Sequence, residues 1–379
     1  MFLHSLITRN KKFINTVQNF YNGGLLEPDT YVIDMDALLQ NAQHILNAAQ
    51  QNNIELFFIT KQLGFNPVIA RELVQLGYGG AVCVDFREAD RMLQNNIPLK
   101  HCGHLVQIPK LYLEKIVPSV EYITVYSLAK AQEINTVAES HKKIQKIFLK
   151  VYNDGDTFYL GQYGGFHISE LPILVAELRK LSNIEIAGLT TFPAFLYNSN
   201  SKKIEPTPNV ATMQQAKAIL EELGIKIDVL NMPSSTCVAN MSQTKALGGN
   251  QAEVGHGLTG TTPLHAADFS QPEIPAILYL SETSHNWGGK SYFYGGGYYA
   301  RSHLKNALVG DSLKMVEKFP DDTIDYYLNL QEEVAVSRSV ITCFRTQIFT
   351  TRSKVVLVSG VQECNPKIVG VYSSLGEQL

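Results

Sequence analysis

Apolar positions along this chain alternate between two periods. From about residue 30 to 270, short β-branched or aromatic runs are separated by longer stretches in which apolar residues recur at i, i+3, i+4 and i+7, the mark of one buried helix face. The runs are TYVIDM (30–35), ELFFIT (55–60), GAVCV (core 81–84), HLVQI (104–108), YITVY (122–126), KIFLKVY (146–152), IEIAGLTT (184–191), IDVLNM (227–232) and AEVGHG (252–257). Helical patterns lie between them at 37–51, 66–77, 86–96, 127–140, 171–182 and 211–224. Several runs are apolar throughout, as parallel strands covered on both faces require.

With the first strand set aside, eight βα units follow one another, which predicts an α/β fold built on a (β/α)8 TIM barrel. A doubly wound open sheet is the alternative. After Pro272 the pattern changes to AILYLSETSH, SYFYGGGYY, RSVITCFRTQIFTT and SKVVLVSGV, strands with little helix between them. The expected division is a leader over 1–27 packing on the β domain, the barrel over 28–272 and a mostly β domain over 273–379. The join, ADFSQPEIP (267–275), is rich in proline and polar residues.

Composition narrows the class. With 32 basic against 35 acidic residues the net charge is −3, without the basic excess that nucleic-acid or membrane-surface binding favours. No apolar run approaches the ~20 residues of a membrane span. The opening MFLHSLITRNKKF is too short and interrupted for a signal peptide. Five cysteines, 83, 102, 237, 343 and 364, form no CxxC pair and suit a reducing cytoplasm. The expectation is a cytoplasmic enzyme with neither a nucleic-acid partner nor a membrane.

In a parallel barrel, chemistry collects just after the strands. Lys61 follows the four apolar residues of FFIT. It either snorkels to solvent or sits desolvated at the barrel mouth, where a lowered pKa makes an amine available for imine chemistry. Ser234, Ser235 and Thr236 follow strand seven; Gly255 and His256 follow strand eight. Each group reads alone as a cap or a turn. Together they stand in the two loops where barrels often bind phosphate. Glu253, on strand eight, needs a partner if it points inward. That partner is a salt bridge at the barrel bottom or a protonated ring nitrogen, worth about 4 kcal/mol at ~4 Å and an effective dielectric near 20. His104 reads as a core histidine, and no His, Asp or Cys set has metal spacing. The loop NDGDTFYLGQYGGF, with Asp154, Asp156 and Tyr159, reads equally as substrate contact or as a turn.

FFIT-Lys61-QLGFNPVIARELVQLG resembles the alanine racemase N-terminal domain, in which a strand ends in a lysine and runs into a helix. GLTTFPAF (188–195), SST (234–236) and EVGHGLTGTTP (253–263) occur in the order of that family's ring-stacking, phosphate and ring-nitrogen segments. The resemblance covers about 30–263, and the following β domain matches the two-domain fold-type III layout. The whole chain is most similar to the YhfX-like, alanine racemase-related proteins.

The resemblance implies pyridoxal 5'-phosphate (PLP) as cofactor and an amino acid as substrate. Lys61 would carry the cofactor covalently and act as the base on one face. Ser235, with Ser234 or Thr236, and Gly255 and the His256 backbone would hold the phosphate. Phe192 stands where the family has a ring-stacking histidine, and Phe65 where alanine racemase has a phosphate-binding tyrosine. Glu253 is the main departure: alanine racemases have arginine there, whereas basic amino-acid decarboxylases of this fold use Glu-x-Gly. A carboxylate favours the protonated ring and a stronger electron sink.

The second acid–base group would come from a partner's β domain, implying a homodimer with shared active sites. His285, in Ser284-His285-Asn286-Trp287, is the candidate, or else a structural loop residue. The run from Tyr294 to Tyr299 reads as tight strand packing or a site strand and is no nucleotide loop. Cys364 lies near a catalytic cysteine loop of the decarboxylases but reads as a buried structural thiol. The expected activity is an amino-acid racemase or epimerase. A decarboxylase or lyase is the alternative, followed by a PLP carrier and by a barrel in which Lys61 forms a Schiff base with a sugar or keto acid.

Overall fold

The structure, a computed structural model, describes residues 2–299, 301–320 and 322–379. The chain divides into two compact units. One is Ile45–Thr60 with Ala70–Gly255; the other comprises the residues up to His44, Lys61–Ile69 and His256–Leu379.

The first unit holds the barrel. Its eight strands are Glu55–Phe58, Ala81–Cys83, Leu99–Cys102, Val120–Val125, Gln145–Tyr152, Ile184–Thr190, Val229–Asn231 and Gln251–Val254, barrel strands one to eight. Each pairs in parallel with its sequence neighbours, and the sheet closes through Glu253↔Phe57 and Val254↔Phe58 between strands eight and one. Closure rules out the open doubly wound sheet. Strand length and apolar content explain the pattern: Ala81–Cys83 and Val229–Asn231 need only three residues each because their neighbours supply the ladder on both sides.

Inside, Phe57, Val82, Tyr122, Phe148 and Ala187 form an apolar plug. The Tyr122 and Phe148 rings stack at 4.5 Å. Burying each such ring stabilises by roughly 1.5–3 kcal/mol. Alternation then places Thr124 and Lys150, two residues further along strands four and five, on the same inner face.

Strand three corrects the sequence reading. HLVQI (104–108) is loop, and LKHC (99–102) is the strand, held by Leu99↔Val120 and His101↔Tyr122. Lys100 and His101 break the apolar run that marks the other strands. The ladder, which runs through backbone groups, is indifferent to this.

The second unit is built on a sheet in the order Ser312–Met315, Asn306–Val309, Ser339–Thr342, Ile277–Trp287, Thr30–Asp34, Lys354–Ser359 and Lys367–Tyr372. Thr30–Asp34 pairs antiparallel with Ile277–Trp287 and parallel with Lys354–Ser359. The strand that a barrel spanning 28–272 would have included therefore lies in this sheet. On one face Val32, Leu278, Leu280, Ile341 and Val356 pack against Phe2, Leu3, Leu6, Phe13, Ile14 and Val17 of helices Phe2–Arg9 and Lys11–Asn22. On the other, Tyr31 meets Tyr279 at 5.1 Å and Phe344 at 6.0 Å.

The glycine run after Tyr294 is tight packing. A Cβ on Gly297 would stand 2.3 Å from the Tyr279 ring, and one on Gly296 (φ +111) would stand 2.2 Å from Asp29. Ala300, at the end of that run, lies outside the described residues.

Candidate active site

Glu253 is fully inside the barrel, its side chain removed from solvent. Its Oε1 accepts from His101 Nδ1 at 2.6 Å and from Asn231 Nδ2 at 3.1 Å. His101 Nε2 lies 2.5 Å from Thr124 Oγ1, and Asn231 is fixed in turn by Thr190 Oγ1 at 2.8 Å. Burial would raise the Glu253 carboxyl. The imidazoles of His104 and His101, with the bonds from His101 and Asn231, outweigh it and bring the group below the usual carboxylate range. Oε2 is buried without a hydrogen-bond partner among the described residues. A carboxylate built this way has one oxygen tied down and the other waiting for a donor.

An aromatic wall stands beside it. His104 follows strand three rather than lying on it. Its ring meets His101 at 5.4 Å and, edge-on, Phe192 at 5.1 Å. Phe192, half-buried after strand six, also meets Tyr159 at 5.4 Å. The loop after strand five thus contributes Tyr159 to the wall, while Asp156 accepts from Asn153 N and Thr212 Oγ1 and closes a turn.

After strand seven, Ser234 and Ser235 hold φ of +101 and +53. Left-handed backbone at two successive residues with side chains costs of order 1–3 kcal/mol each and persists where the surroundings impose it. Both hydroxyls donate to Phe195 O, and Thr236 Oγ1 is buried with no partner among the described residues.

Lys150 was not read from sequence as a site residue. It is 1% exposed on strand five, its ammonium 4.7 Å from the Tyr126 ring centre and 5.8 Å from that of Phe158. Tyr126 in turn donates its hydroxyl to His104 O. Burial pulls the Lys150 amine down to about 8.

In the second unit, Lys61 opens a 3-10 turn, Lys61–Leu63, and Phe65 (φ +51) stacks on Phe349 at 5.1 Å. His256 is half-buried. Burial, then the positive charges of Arg345 and Lys61, hold its imidazole well below the usual histidine value, so it is neutral near pH 7. Its Nε2 lies 3.4 Å from Gln347 Nε2. Arg345 is a cation near His256 that its place in a β-domain run, CFRTQIF, did not reveal. Lys61 and His256 are thus brought close within one unit, and Glu253, Phe192 and the Ser234–Thr236 turn lie in the other.

His285 is not a loop residue. It lies exposed on strand Ile277–Trp287, stacked on Tyr292 at 4.8 Å and edge-on to Tyr327 at 5.1 Å. Cys364 is exposed, not buried, at φ +58 in the turn before Lys367–Tyr372. Linear spacing suggested no metal set, yet donor atoms of His101, His104 and Glu253 lie within 4.8 Å of one another. The 2.6 Å between His101 Nδ1 and Glu253 Oε1 is a shared-proton distance. Two ligands ~2.0–2.1 Å from one tetrahedral ion would stand roughly 3.3 Å apart.

Comparison with known proteins gives the family of the chain. The family model for the alanine racemase N-terminal domain matches residues 33–263, and that for the YhfX-like C-terminal domain matches 278–368. The chain belongs to the alanine racemase N-terminal domain family. It is 43% identical, over the full length of both chains, to the uncharacterised protein YhfX of Escherichia coli K12.

Solved structures share the fold. An alanine racemase of Clostridium difficile 630 in complex with cycloserine is similar at a TM-score of 0.64 and 18% identity, covering 91% of this chain and 98% of its own. A D-threonine aldolase from Filomicrobium marinum reaches 0.70 at 13% identity, covering 92% and 94%. The protein is therefore an alanine racemase-like, fold-type III member of a PLP enzyme family.

The residues present fit that cofactor. The orphaned Glu253 Oε2 suits a protonated ring nitrogen, Phe192 offers an aromatic face, and the orphaned Thr236 hydroxyl on a left-handed turn suits a phosphate oxygen. Among the described residues no helix is long and apolar enough to cross a membrane.

Proposed function

We propose that this protein is a PLP-dependent amino-acid racemase or epimerase acting at the α-carbon. The observation that carries the reading is the buried Glu253, with one oxygen fixed by His101 and Asn231 and the other free to accept. PLP, when bound, supplies an electron sink for the charge left when a bond to the α-carbon breaks.

Lys61 would hold the cofactor covalently, and its amine, when free, would be the base for the α-proton on one face. Glu253 would hold the ring nitrogen in its protonated form, and the hydrogen bond from His101 keeps the carboxylate aimed and charged. Phe192 would lie against the ring, and Ser234, Ser235, Thr236, Gly255 and the His256 backbone would hold the phosphate. Racemisation needs a second proton donor on the opposite face. His285, exposed on a β-domain strand, is assigned to that role in a partner subunit, which makes the working unit a homodimer. The exposed Leu160 and Tyr163, at 90% and 63%, give the loop after strand five apolar surface for such a partner.

Bond cleavage is the second reading. Glu253 in place of arginine strengthens the sink beyond what proton exchange requires, and an aldolase shares the fold with these racemases. One experiment separates them: incubation of amino-acid pools with the PLP-loaded protein in deuterium oxide. Racemase activity gives deuterium at the α-carbon with both enantiomers present. Carbon dioxide or aldehyde release instead indicates a lyase. Protein that gains no visible absorption with PLP and stays unmodified at Lys61 after borohydride defeats both.

A further inference from the structure

Lys150 is a cation in a place where cations are costly. It lies on the inner face of barrel strand five, two residues beyond Phe148, whose ring meets His101 at 5.1 Å. Its hydrogen-bond partner is the Tyr126 hydroxyl, at a long 3.5 Å. Two ring faces, Tyr126 and Phe158, lie beneath the ammonium, and no carboxylate pairs with it among the described residues. Rings offset part of the lost hydration of an ammonium but cannot replace it.

The pocket around it is built, not incidental. Gly164 (φ +137) brings the loop so close to Tyr126 that a Cβ would stand 2.6 Å from its ring. Gly165 (φ +131) would put one 2.7 Å from Lys150 O. The loop that carries Phe158 and Tyr159 is thereby clamped onto the Tyr126–Lys150 pair. Tyr126 reaches His104, and both His104 and Tyr159 touch Phe192. Lys150 thus joins the aromatic wall beside Glu253 through an unbroken series of contacts within one unit.

An amine kept dry and unpaired at the working end of a barrel has a reason to be there if an anion arrives with the ligand. Burial alone does not supply one, since methionine would fill the same space without the desolvation cost. We propose that Lys150 binds a carboxylate of the substrate. The inference rests on the amino-acid reading above and extends it, because it names the group that recognises the acid end of the molecule. Tyr126, held by His104 O, fixes the direction of approach, and Phe158 excludes water from the ion pair once it forms.

The test uses PLP-loaded wild type and Lys150→Met, titrated calorimetrically with propionate and with its neutral isostere propionamide. Wild type should bind propionate saturably and about tenfold or more tightly than propionamide, the margin of a charge-assisted hydrogen bond over a neutral one. Lys150→Met should bind the two alike. Its thermal midpoint without ligand should equal or exceed that of wild type, since the substitution removes a buried charge. A wild type with no preference for the anion, or a variant that keeps the preference, overturns the proposal. So does a variant that melts well below wild type, which would make the lysine structural. The visible PLP band of the same samples reports on the cofactor reading separately. A colourless protein whose anion preference still depends on Lys150 sinks that reading alone, whereas a coloured one with an unchanged variant sinks this inference alone.

Discussion

Nδ1 of His101 lies 2.6 Å from Oε1 of Glu253, joining strands three and eight across the barrel interior, and leaves Oε2 of the same carboxylate without a partner. That bond makes Glu253 an oriented anion instead of a buried liability. His101→Phe should lower α-proton exchange by about 10–100-fold, the effect of losing a hydrogen bond to a charged group, worth ~1.5–3 kcal/mol. Glu253→Ala should lower it further. Exchange in deuterium oxide, followed by NMR, measures both, and a His101→Phe rate equal to wild type contradicts the assignment.

Phe192 packs between His104 and Tyr159 and keeps part of its ring open. Phe192→Ala should weaken PLP binding by about tenfold, from ~0.5–1.5 kcal/mol of ring contact plus lost area. Phe192→Tyr should stay near wild type. Fluorescence titration of the apo-protein with PLP reads the difference, and equal affinities would remove Phe192 from the cofactor face.

His256 is held neutral by burial and by the nearby positive charges of Arg345 and Lys61. Its folded value lies below the unfolded one near 6.5, so the unfolded chain binds more protons in that interval. Stability therefore falls as pH drops below about 6.5. Arg345→Gln should raise the His256 titration point while leaving it below 6.5, because burial is the larger cause. NMR titration of the apo-protein shows this, and an unmoved resonance separates Arg345 from His256.

Lys150 titrates at about 8, against 10.5 for a free side chain. Between those values the unfolded chain holds the extra proton, so this group makes stability rise with pH across that window, by ~3 kcal/mol in all. The Tyr126 phenol facing it is pushed up by burial and stays protonated there. The stability gap between Lys150→Met and wild type should be constant below pH 8 and shrink toward pH 10.5 in denaturant titrations. A gap that does not change with pH removes the buried charge from the explanation.

Phe13 is 0% exposed, within the cluster that joins the first two helices to the sheet. Phe13→Ala should cost about 3–5 kcal/mol in urea unfolding. A loss under 1 kcal/mol would mean that the leader contributes little to the fold.

Much of this was legible in the chain. Seven of the eight barrel strands lie in the apolar-rich runs read from the pattern, because parallel strands covered on both faces are mostly apolar. The run HLVQI misled for the same reason: the true third strand carries Lys100 and His101, and backbone pairing does not register in hydropathy. Lys61, Glu253 and the serine turn stand out as candidates because each sits in a loop or at a strand end, where a parallel barrel collects its chemistry.

The sequence by itself determined the barrel and the β domain, since local periodicity and strand-end position are properties of neighbouring residues, while the PLP reading came from its resemblance to the alanine racemase family. Only tertiary structure decided the partners of the candidate residues. His101 reaches Glu253 across 152 positions, Arg345 comes to His256 from the β domain, and Thr30–Asp34 joins a sheet whose other strands begin at Ile277. Lys150 becomes a cation without an anion only when strand five turns it inward. Such relationships are set by barrel closure and strand register, which place side chains far apart in the chain within ångströms of each other.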